Sequence, residues 1–334
     1  MPELPELVQD LLDPQAYPEP PERVELRQTQ ISNVFLAGDL VYKIKKPVDF
    51  GFLDYTTLAS RLTFCRKEVE LNRRLCTHAY LGVVPVTREN GRTVVEGEGE
   101  AVEYAVKMRR LPQERMMDVL MARDAVSPDM VREVARKVAD FHETSPVSDH
   151  GGTYWNLQVV SDTIENVMAR DGLHIGELIP RDGYERVMRF MRGFLKDRAG
   201  LFEERVTGGR IRDCHADLHC EHICFCEDLC IFDCVEFSDR LRFIDIMADV
   251  GFLAMDLDRF GRQDLSSVFV DTYVERSGDQ GVYRLLNFYK CYRAGTRYMV
   301  DCQQYDDPSI SPEQRDKVAA LARRYAELMI SYVE

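Results

Sequence analysis

The chain has 334 residues and a formal net charge of −14 at pH 7, because 57 Asp and Glu outnumber 43 Lys and Arg. A length of this order suits one large domain or two domains of about 150 residues each. The acidic balance argues against a nucleic-acid-binding protein, whose affinity would come mainly from neutralising phosphates. It is compatible with a single basic pocket on an acidic body.

The sequence predicts a cytoplasmic protein with neither a membrane nor a nucleic acid as partner. Its longest apolar runs, such as residues 250–255, are far shorter than the roughly 20 residues that span a bilayer. The first 13 residues are acidic and lack the apolar core of a secretory signal. In such a chain we expect the ten cysteines to be mostly thiols or metal ligands.

The first part of the chain is predicted to form a sheet with one inserted helix. Residues 1–22 are rich in Pro and Glu and indicate a loosely structured N-terminal extension. Two strands joined by a Gly38-Asp39 turn are expected within residues 31–46. A helix follows over residues 57–76, where apolar side chains recur at intervals of three, four and seven. Three more strands are predicted at 83–87, 93–95 and 102–108.

The rest of the chain is predicted to be mostly helical. Ser127-Pro128 begins a helix in the usual order of cap and proline. Helices resume near Met247 after a short non-helical segment. These patterns predict an α+β protein with a small antiparallel-sheet part over 23–110 and a larger helical part over 111–334.

Residues 210–246, RIRDCHADLHCEHICFCEDLCIFDCVEFSDRLRFIDI, contain the densest set of reactive side chains. Phosphoryl transfer needs an anionic base for the acceptor hydroxyl, oxygen ligands for magnesium and a cation on the phosphates. Asp217 and Asp233, sixteen residues apart, supply two carboxylates. We expect the turn at Glu227-Asp228 to bring them together.

Upstream, two lysines are candidates for the phosphate-binding cation. Lys43 and Lys45 lie on one predicted strand and share a face, because strand side chains alternate with a period of two. The following helix carries Glu68, which is suited to pair with such a lysine, and Glu70, which points about 200° around the helix. The residues alone leave Lys43 and Lys45 both open.

These segments resemble the aminoglycoside phosphotransferase/choline kinase-like family of the protein-kinase-like superfamily. The resemblance is closest to uncharacterised bacterial phosphotransferase-like proteins, some of them fused to a P-loop ATPase domain. The matching segments are LVYK, CRKEVELNRRL, VEYAVKMRRLP, CHADLHCEHI, IFDCVEF and RFIDIMADVGFLAMDLD, in that order along most of the chain. The resemblance implies a bilobal kinase-like fold with an N-lobe over 23–110, a C-lobe over 111–334, and ATP and Mg²⁺ as cofactors. Because no GxxxxGK[ST] motif occurs in this chain, we expect any P-loop ATPase partner to be a separate protein.

The resemblance also implies a role for individual residues. Lys43 would contact the phosphates and Glu68 would pair with it. Asp217 would be the catalytic base and Asp233 a magnesium ligand. The implied cofactor-binding residues also include Met108, in a hinge segment over 105–111, and Ser32 and Asn33, which would cover the phosphates.

Two departures from the family pattern weaken the prediction of catalysis. The family has a metal-ligating Asn where this chain has His222, and imidazole suits manganese or zinc better than magnesium. The glycine-rich phosphate loop is also absent from the sequence. The main hypothesis is therefore an ATP-dependent phosphotransferase acting on a small-molecule hydroxyl, with Mn²⁺ as an alternative to Mg²⁺. The alternative is a nucleotide-binding regulatory pseudokinase.

A third hypothesis is a zinc-dependent structural or redox protein. The residues that would form its metal site are Cys214, His215, His219, Cys220, His222, Cys224 and Cys226. Zinc sites usually combine two closely spaced ligand pairs, and the spacing here is irregular. Buried structural thiols are the simpler interpretation, since free Cys behaves as a small hydrophobic residue.

The acceptor-binding residues are less evident from the sequence. Lys290, Arg293 and Arg297 share one face of a predicted helix and are candidates for binding an anionic acceptor. A solvated face paired with nearby acids is an equally good interpretation. Asp245, Asp249 and His142 are predicted to be structural.

Overall fold

The computed structural model describes residues 4–51, 53–148 and 153–334, and the chain divides into two compact units. The first, here called the sheet unit, comprises residues up to Val119 together with Glu221–Ser238. The second, the helical unit, comprises residues 120–220 and 239–334. The predicted α+β class is confirmed. The predicted boundary near residue 110 differs from the observed one. The first unit extends to Val119 and also includes Glu221–Ser238.

The sheet unit is built on six antiparallel strands in the order β1-β2-β3-β6-β4-β5. The strands are β1 Val24–Gln28, β2 Ser32–Ala37, β3 Leu40–Lys45, β4 Tyr80–Glu89, β5 Arg92–Val95 and β6 Glu100–Arg109. The predicted hairpin is confirmed, and Gly38 adopts φ +62° in its turn, a conformation that favours glycine. Strand β1 was not predicted.

The N-terminal residues cover one face of this sheet. Helix α1, Glu6–Asp10, and a following 3₁₀ turn place Leu11 and Tyr17 against Phe35 and Tyr42 of the sheet. All four of these side chains are buried. The prediction of a loose extension over residues 1–22 is therefore wrong for the described part, because its few apolar side chains are enough to seal the sheet.

The opposite face of the sheet is covered by helix α2, Leu58–Asn72, and by a small hairpin. Thr57 caps the helix by accepting a hydrogen bond from the Ser60 amide. The hairpin comprises β8, Ile223–Phe225, and β9, Leu229–Ile231. Its Cys224 and Cys230 side chains join the same apolar cluster as Cys65 and Val69 of α2, which explains why segment Glu221–Ser238 belongs to the sheet unit.

The helical unit is dominated by long helices. They are α4 Pro128–Thr144, α5 Leu157–Met168, α6 Arg181–Asp197, α7 Ala199–Thr207, α9 Met247–Arg259, α10 Gln263–Ser277, α11 Val282–Tyr305 and α12 Pro312–Ser331. Helix α3, Met117–Ala122, lies at the boundary of the two units, and α8, Asp239–Arg242, is a single turn. Short strands β7, Ile211–Asp213, and β10, Phe243–Asp245, form an antiparallel pair.

Helix α9 is buried along twelve of its thirteen residues, so it forms the centre of the helical unit. Helices α10 and α11 pack against it, and Gly251 of α9 allows the close approach of Tyr289 in α11. Within the described ranges, none of the helices combines the length and the apolar composition that crossing a bilayer requires.

Candidate active site

A cavity of about 390 Å³ lies entirely within the sheet unit. Apolar side chains form one part of its lining, and charged and polar side chains form another. The apolar residues include Val34, Leu36, Val41, Met108 and Met116. The charged and polar residues include Lys43, Asp118, His222 and Asp233. A cavity of this size, with a few convergent polar groups, is typical of a small-molecule site.

Lys43 connects two carboxylates in this cavity. Its Nζ atom is 2.5 Å from Asp233 Oδ1 and 2.9 Å from Glu68 Oε1. The Glu68 side chain is fully buried, whereas that of Asp233 is 39% exposed. Burial alone would lower the pKa of Lys43, but the charges of Asp233 and Glu68 outweigh it and raise that pKa well above its ordinary value. Lys43 is therefore a permanent cation facing the cavity.

Lys45, the other candidate, has different surroundings. Its Nζ atom is 2.7 Å from Glu68 Oε2, and it also forms an ion pair with Glu236. The Tyr55 hydroxyl donates a 2.6 Å hydrogen bond to the same Glu236 carboxylate. Lys45 is buried and, among the described residues, does not line the cavity. The structure thus separates a cavity lysine from a buried one.

Asp233 occupies a strained but well-held backbone position. It has φ +61°, a region that non-glycine residues rarely adopt. Its amide donates to the Tyr80 hydroxyl oxygen at 3.2 Å, and the next amide, of Cys234, donates to Asn72 Oδ1 at 2.9 Å. Asn72 Nδ2 in turn donates to the carbonyl of Glu68 at 2.9 Å. Asn72 therefore links the helix that carries Glu68 to the segment that carries Asp233.

The sequence interpretation missed Asn72, Tyr80 and Glu236. The first has a sequence signal, since Asn72 follows Glu68 by one helical turn. Glu236 follows Asp233 by three residues in a segment already singled out. Tyr80 is brought in only by the sheet topology, which the local pattern does not reveal.

His222 lies beside Asp233 in the same cavity. The His222 Nε2 atom is 3.7 Å from Asp233 Oδ2, and the His222 carbonyl accepts a 3.0 Å hydrogen bond from the Phe232 amide. The two residues that the sequence analysis names as metal-ligand candidates, His222 and Asp233, therefore lie side by side. An imidazole and a carboxylate at this spacing form a donor pair for a transition-metal ion more readily than for Mg²⁺.

The predicted phosphate-covering pair lies elsewhere in the sheet unit. Ser32 and Asn33 begin β2 with buried side chains, and Asn33 Oδ1 accepts a 2.8 Å hydrogen bond from Gln28 Nε2. Neither residue lines the cavity in the part of the chain that the structure describes. Arg27, near the end of β1, and Thr29, in the β1–β2 connection, line it instead. The sequence interpretation missed them because it did not predict β1.

The predicted hinge segment does border the cavity. Met108, Arg109, Arg110 and Leu111 at the end of β6 all line it. Met108 is paired in register with Val41 of β3, so both apolar side chains belong to neighbouring strands of one wall. The family resemblance predicts this segment, with Met108, as the hinge.

Asp217 lies in the helical unit, on a loop with a defined anchor. The preceding residue, Ala216, has φ +70°. The Asp249 carboxylate of α9 accepts hydrogen bonds from the amides of His215 and Ala216, both at 2.8 Å. It also lies 3.2 Å from His142 Nε2, and the other ring nitrogen of His142 is 2.8 Å from the Tyr273 hydroxyl. Asp249 and His142 thus have the structural contacts predicted for them.

The other end of the loop is held in a similar way. Asp256, also in α9, accepts a 2.9 Å hydrogen bond from the Cys220 amide. The His219 Nε2 atom lies 3.6 Å from Asp217 Oδ2. Burial alone would lower the pKa of His219, but the carboxylates of Asp217 and Asp256 raise it above its ordinary 6.5. Asp217 thus has a cationic neighbour over a wider pH range than an exposed histidine would give it.

The candidate acceptor-binding residues do not form a solvated basic face. Lys290 is buried, with its Nζ 2.7 Å from Asp258 Oδ2. Arg293 is also buried and donates to the carbonyl of Ala248 at 2.9 Å. Arg297 is partly buried, and its guanidinium lies over the Tyr325 ring. For Lys290 and Arg293, the structure therefore shows packing within the helical unit, because each satisfies a buried acceptor on α9.

Asp245, the remaining residue predicted to be structural, accepts hydrogen bonds from Arg205 and from the Tyr289 hydroxyl. Its side chain is fully buried. These contacts join β10 to α7 and α11, as a structural role requires.

The proposed zinc residues of segment 214–226 do not all belong to one unit. Cys214, His215, His219 and Cys220 lie in the helical unit, and His222, Cys224 and Cys226 lie in the sheet unit. Burial raises the pKa of Cys214 well above its ordinary value, and that of Cys224 to about 12. Both are therefore protonated thiols at neutral pH, in agreement with the simpler interpretation. One pair, Cys76 and Cys230, forms a disulfide that the sequence interpretation did not predict.

Comparison with known proteins gives one family. A profile described as "Phosphotransferase enzyme family" matches residues 57–289. An uncharacterized protein of Mycobacterium tuberculosis is 32% identical over 283 residues, which cover 84% of this chain and 55% of that protein. An uncharacterized protein of Mycobacterium bovis matches to the same extent. The chain thus spans about half the length of the curated relatives it matches.

Three solved structures are similar to this chain over most of its length. An amicoumacin kinase in complex with AMP-PNP and Ca²⁺ has a TM-score of 0.49 and 12% identity, covering 92% of this chain and 89% of that one. An aminoglycoside phosphotransferase from Alicyclobacillus acidocaldarius has a TM-score of 0.49 and 13% identity, covering 100% and 96%. A choline/ethanolamine kinase family protein from Mesorhizobium loti has a TM-score of 0.42 and 14% identity, covering 93% and 92%.

Proposed function

Because the chain belongs to the phosphotransferase enzyme family, we propose that it transfers the γ-phosphoryl group of ATP to a hydroxyl group of a small molecule. The proposed acceptor is a small molecule that resembles an aminoglycoside, a sugar or an amino alcohol. The observation that carries the proposal is the bridge from Lys43 to Glu68 and Asp233 in the cavity of the sheet unit. A cation held between two carboxylates, one of them buried, is positioned to receive phosphate oxygens.

The cavity lining supports a nucleotide as its occupant. Val41 and Met108 offer an apolar surface to a base, and Lys43 offers its charge to the phosphates. Arg27 and Arg109 add positive charge to the lining of a protein whose net charge is −14. Asp118, Glu221 and Asp233 also line the cavity, so its mixed charge suits a polyphosphate that binds together with a divalent cation.

The donor set fits a divalent cation bound together with the nucleotide. Asp233 would hold it through a partly exposed carboxylate, and His222 would add an imidazole. When bound, such a cation supplies charge neutralisation for the transferring phosphoryl group. Asp233 is paired with Lys43, and an arriving polyphosphate offers Lys43 a competing anion, which frees the carboxylate for the metal.

We assign Asp217 as the group that orients the acceptor hydroxyl. This assignment rests on the position of Asp217 in the family motif and on a loop held by Asp249 and Asp256. A carboxylate in that role accepts the hydroxyl proton as the oxygen attacks phosphorus. Its charge is stabilised by His219, 3.6 Å away.

The test is a transfer assay with [γ-³²P]ATP and a panel of hydroxylated metabolites, run with Mg²⁺ and with Mn²⁺. We expect the Asp217→Ala variant to bind ATP nearly as tightly as wild type and to transfer at least 1,000-fold more slowly, because only the positioning of the hydroxyl is lost. An exposed aspartate of the same unit, as in Asp271→Asn, provides the matched control. Equal transfer rates in wild type and Asp217→Ala would contradict the assignment.

A second candidate function, a nucleotide-binding regulator with little transfer activity, is favoured by one observation. The family resemblance implies a metal-ligating Asn at the position of His222, and this histidine lies 3.7 Å from Asp233. The His222→Asn variant distinguishes the two functions. For an active enzyme adapted to its own histidine, we expect His222→Asn to lower Mn²⁺-supported transfer. A large gain of Mg²⁺-supported transfer would instead support the regulator.

A further inference from the structure

A second cluster of reactive side chains lies in the sheet unit, and its members do not line the nucleotide cavity within the described residues. Cys76 and His78 lie between α2 and β4, and Cys226 and Cys230 lie in the β8–β9 hairpin. One ligand atom from each of Cys76, His78 and Cys230 lies within 4.8 Å of the other two. The Cys226 Sγ atom is 3.4 Å from the His78 Nε2 atom. Two sulfur atoms and one imidazole nitrogen therefore form a compact group, and Cys226 adjoins this group through its contact with His78.

The sequence spacing of these four residues has the form of two ligand pairs. Cys76-Thr77-His78 gives one pair with one residue between, and Cys226 and Cys230 give another with three residues between. The Cys226–Cys230 spacing lies within the two to four residues that usually separate paired zinc ligands, whereas the Cys76–His78 spacing is one residue shorter, and Cys₃His is one of the usual donor sets of structural zinc. The earlier zinc hypothesis drew on residues 214–226 and shares only Cys226 with this cluster.

The disulfide between Cys76 and Cys230 accounts for only part of this arrangement. These two sulfur atoms are buried, and the two Cα atoms are 4.6 Å apart. Cys226 and His78 are partly exposed and take no part in the disulfide, yet they contact each other beside it. A redox bond does not require an imidazole and a third thiol at this position, whereas a metal site does.

We propose that Cys76, His78, Cys226 and Cys230 bind one Zn²⁺ ion when the Cys76–Cys230 disulfide is reduced. A dithiol reductant supplies two electrons and two protons, so that the S–S bond breaks, two thiols form and the reductant becomes its own disulfide. Zinc then displaces the protons of three thiols and takes the neutral imidazole as its fourth ligand. The disulfide and the ion are alternative occupants of the same two sulfur atoms.

The surroundings of the cluster suit this ion. His78 lines an open hollow of about 560 Å³ that gives the cluster access to solvent. Three thiolates around Zn²⁺ carry a net charge of −1, and Arg73 and Arg109 line the same hollow. Glu227 and Asp228 also line it, so an arriving cation meets carboxylates before it reaches the sulfurs.

Such a site would clamp the β8–β9 hairpin to the end of α2. Asn72 lies four residues before Cys76, and Asp233 lies three residues after Cys230. The two are already connected through the Cys234 amide, which donates to Asn72 Oδ1. The clamp is therefore adjacent to the residues that position Asp233, although it is separate from the cavity.

The test uses the full chain, freed of metal and kept under a dithiol reductant, then titrated with Zn²⁺ and separately with Co²⁺. We expect one Zn²⁺ per chain, and for Co²⁺ the intense visible bands of a tetrahedral thiolate site. Oxidised protein should bind at least tenfold more weakly, because its disulfide removes two ligands. This comparison of the two redox states needs no variant and does not depend on whether one folds.

Variants then locate the ion. Cys226→Ser and His78→Ala, at partly exposed positions, should each weaken Zn²⁺ binding at least tenfold. Cys65→Ala, at another buried cysteine of the sheet unit, should bind as wild type does. The proposal is overturned if reduced protein binds no stoichiometric Zn²⁺. It is equally overturned if Cys226→Ser and His78→Ala bind as tightly as wild type, or if Asp233→Asn, in the nucleotide cavity, alone abolishes binding.

Discussion

Two lysines on β3 share one glutamate and yet have different surroundings. Glu68 contacts Lys43 through one oxygen and Lys45 through the other. Lys43 faces the cavity, whereas Lys45 is enclosed by Glu68, Glu236 and Tyr55. The inner lysine fixes the side chain of Glu68, and Glu68 in turn fixes the position of Lys43. A local pattern with a period of two identifies both lysines but cannot rank them, because the ranking depends on residues that are 190 positions away.

Glu236 provides a prediction about the pH dependence of stability. Burial alone would raise the pKa of Glu236, but Lys45 and Lys43 outweigh it and lower that pKa below its ordinary 4.5. A carboxylate with a lowered pKa in the folded state stabilises the protein above about pH 4.5, and this contribution is lost as the pH falls through the folded pKa. Glu236→Gln should therefore cost about 3 kcal/mol of unfolding free energy at pH 7, and less at lower pH.

Urea denaturation of wild type and Glu236→Gln between pH 7 and pH 3 measures this difference. The exposed Glu203→Gln provides the control, which should match wild type to within about 0.5 kcal/mol. A difference between wild type and Glu236→Gln that stays constant down to pH 3 would contradict the assignment of an ionised, paired Glu236.

Among the elements, the two loops that carry the candidate aspartates are both held in unusual backbone conformations. Ala216 and Asp233 have φ values of +70° and +61°. The first is held by Asp249 of α9, and the second by Asn72 of α2 and Tyr80 of β4. Each loop is therefore positioned by side chains of a neighbouring element within its own unit. Backbone strain maintained in this way is often associated with functional sites.

Asp249→Asn should reduce catalysis without removing a catalytic group. Its two carboxylate oxygens accept hydrogen bonds from two backbone amides. In asparagine, an NH₂ group would replace one of these oxygens and would face a backbone N–H, so that one hydrogen bond is lost. We expect transfer to fall about 100-fold, with stability lower by about 2 kcal/mol and ATP affinity within twofold of wild type. Steady-state kinetics and ATP calorimetry check this, with Asp271→Asn as the control. A loss of ATP affinity equal to the loss of transfer would contradict the positioning role.

The elements that could be predicted from sequence are those with a local signature. The Gly38 turn fixed the β2–β3 hairpin, and helical periodicity indicated α2. Strand β1 and the cover formed by Leu11 and Tyr17 were missed, because their few apolar residues are significant only against the sheet that they seal. The same applies to the site. Glu68 and Asp233 were singled out from local patterns, and Lys43 and His222 from the family resemblance, whereas the contacts of Asn72 and Tyr80 arise from tertiary packing.

For the whole molecule, the family profile over residues 57–289 confirms the predicted resemblance to phosphotransferases. The division into units was less predictable. Segment Glu221–Ser238 lies within a stretch that reads as part of the helical half, but its buried Cys224 and Cys230 side chains pack on the sheet unit. No local sequence pattern indicates that this segment of the chain packs back onto the sheet unit. Its consequence is that the candidate metal ligand Asp233 and the candidate phosphate lysine Lys43 belong to one compact unit.

The central claim is that this unit binds a nucleotide through Lys43 and Asp233. The most direct measurement is a thermal-shift titration of the whole chain with ATP, GTP and ADP, in Mg²⁺, in Mn²⁺ and without metal. A ligand specific to the folded state stabilises it by about 2.7 kcal/mol at a hundredfold excess over its dissociation constant. We predict a metal-dependent shift with ATP that is lost in Lys43→Met and in Asp233→Asn. The absence of any shift in wild type, or an equal shift in both variants, would contradict the claim.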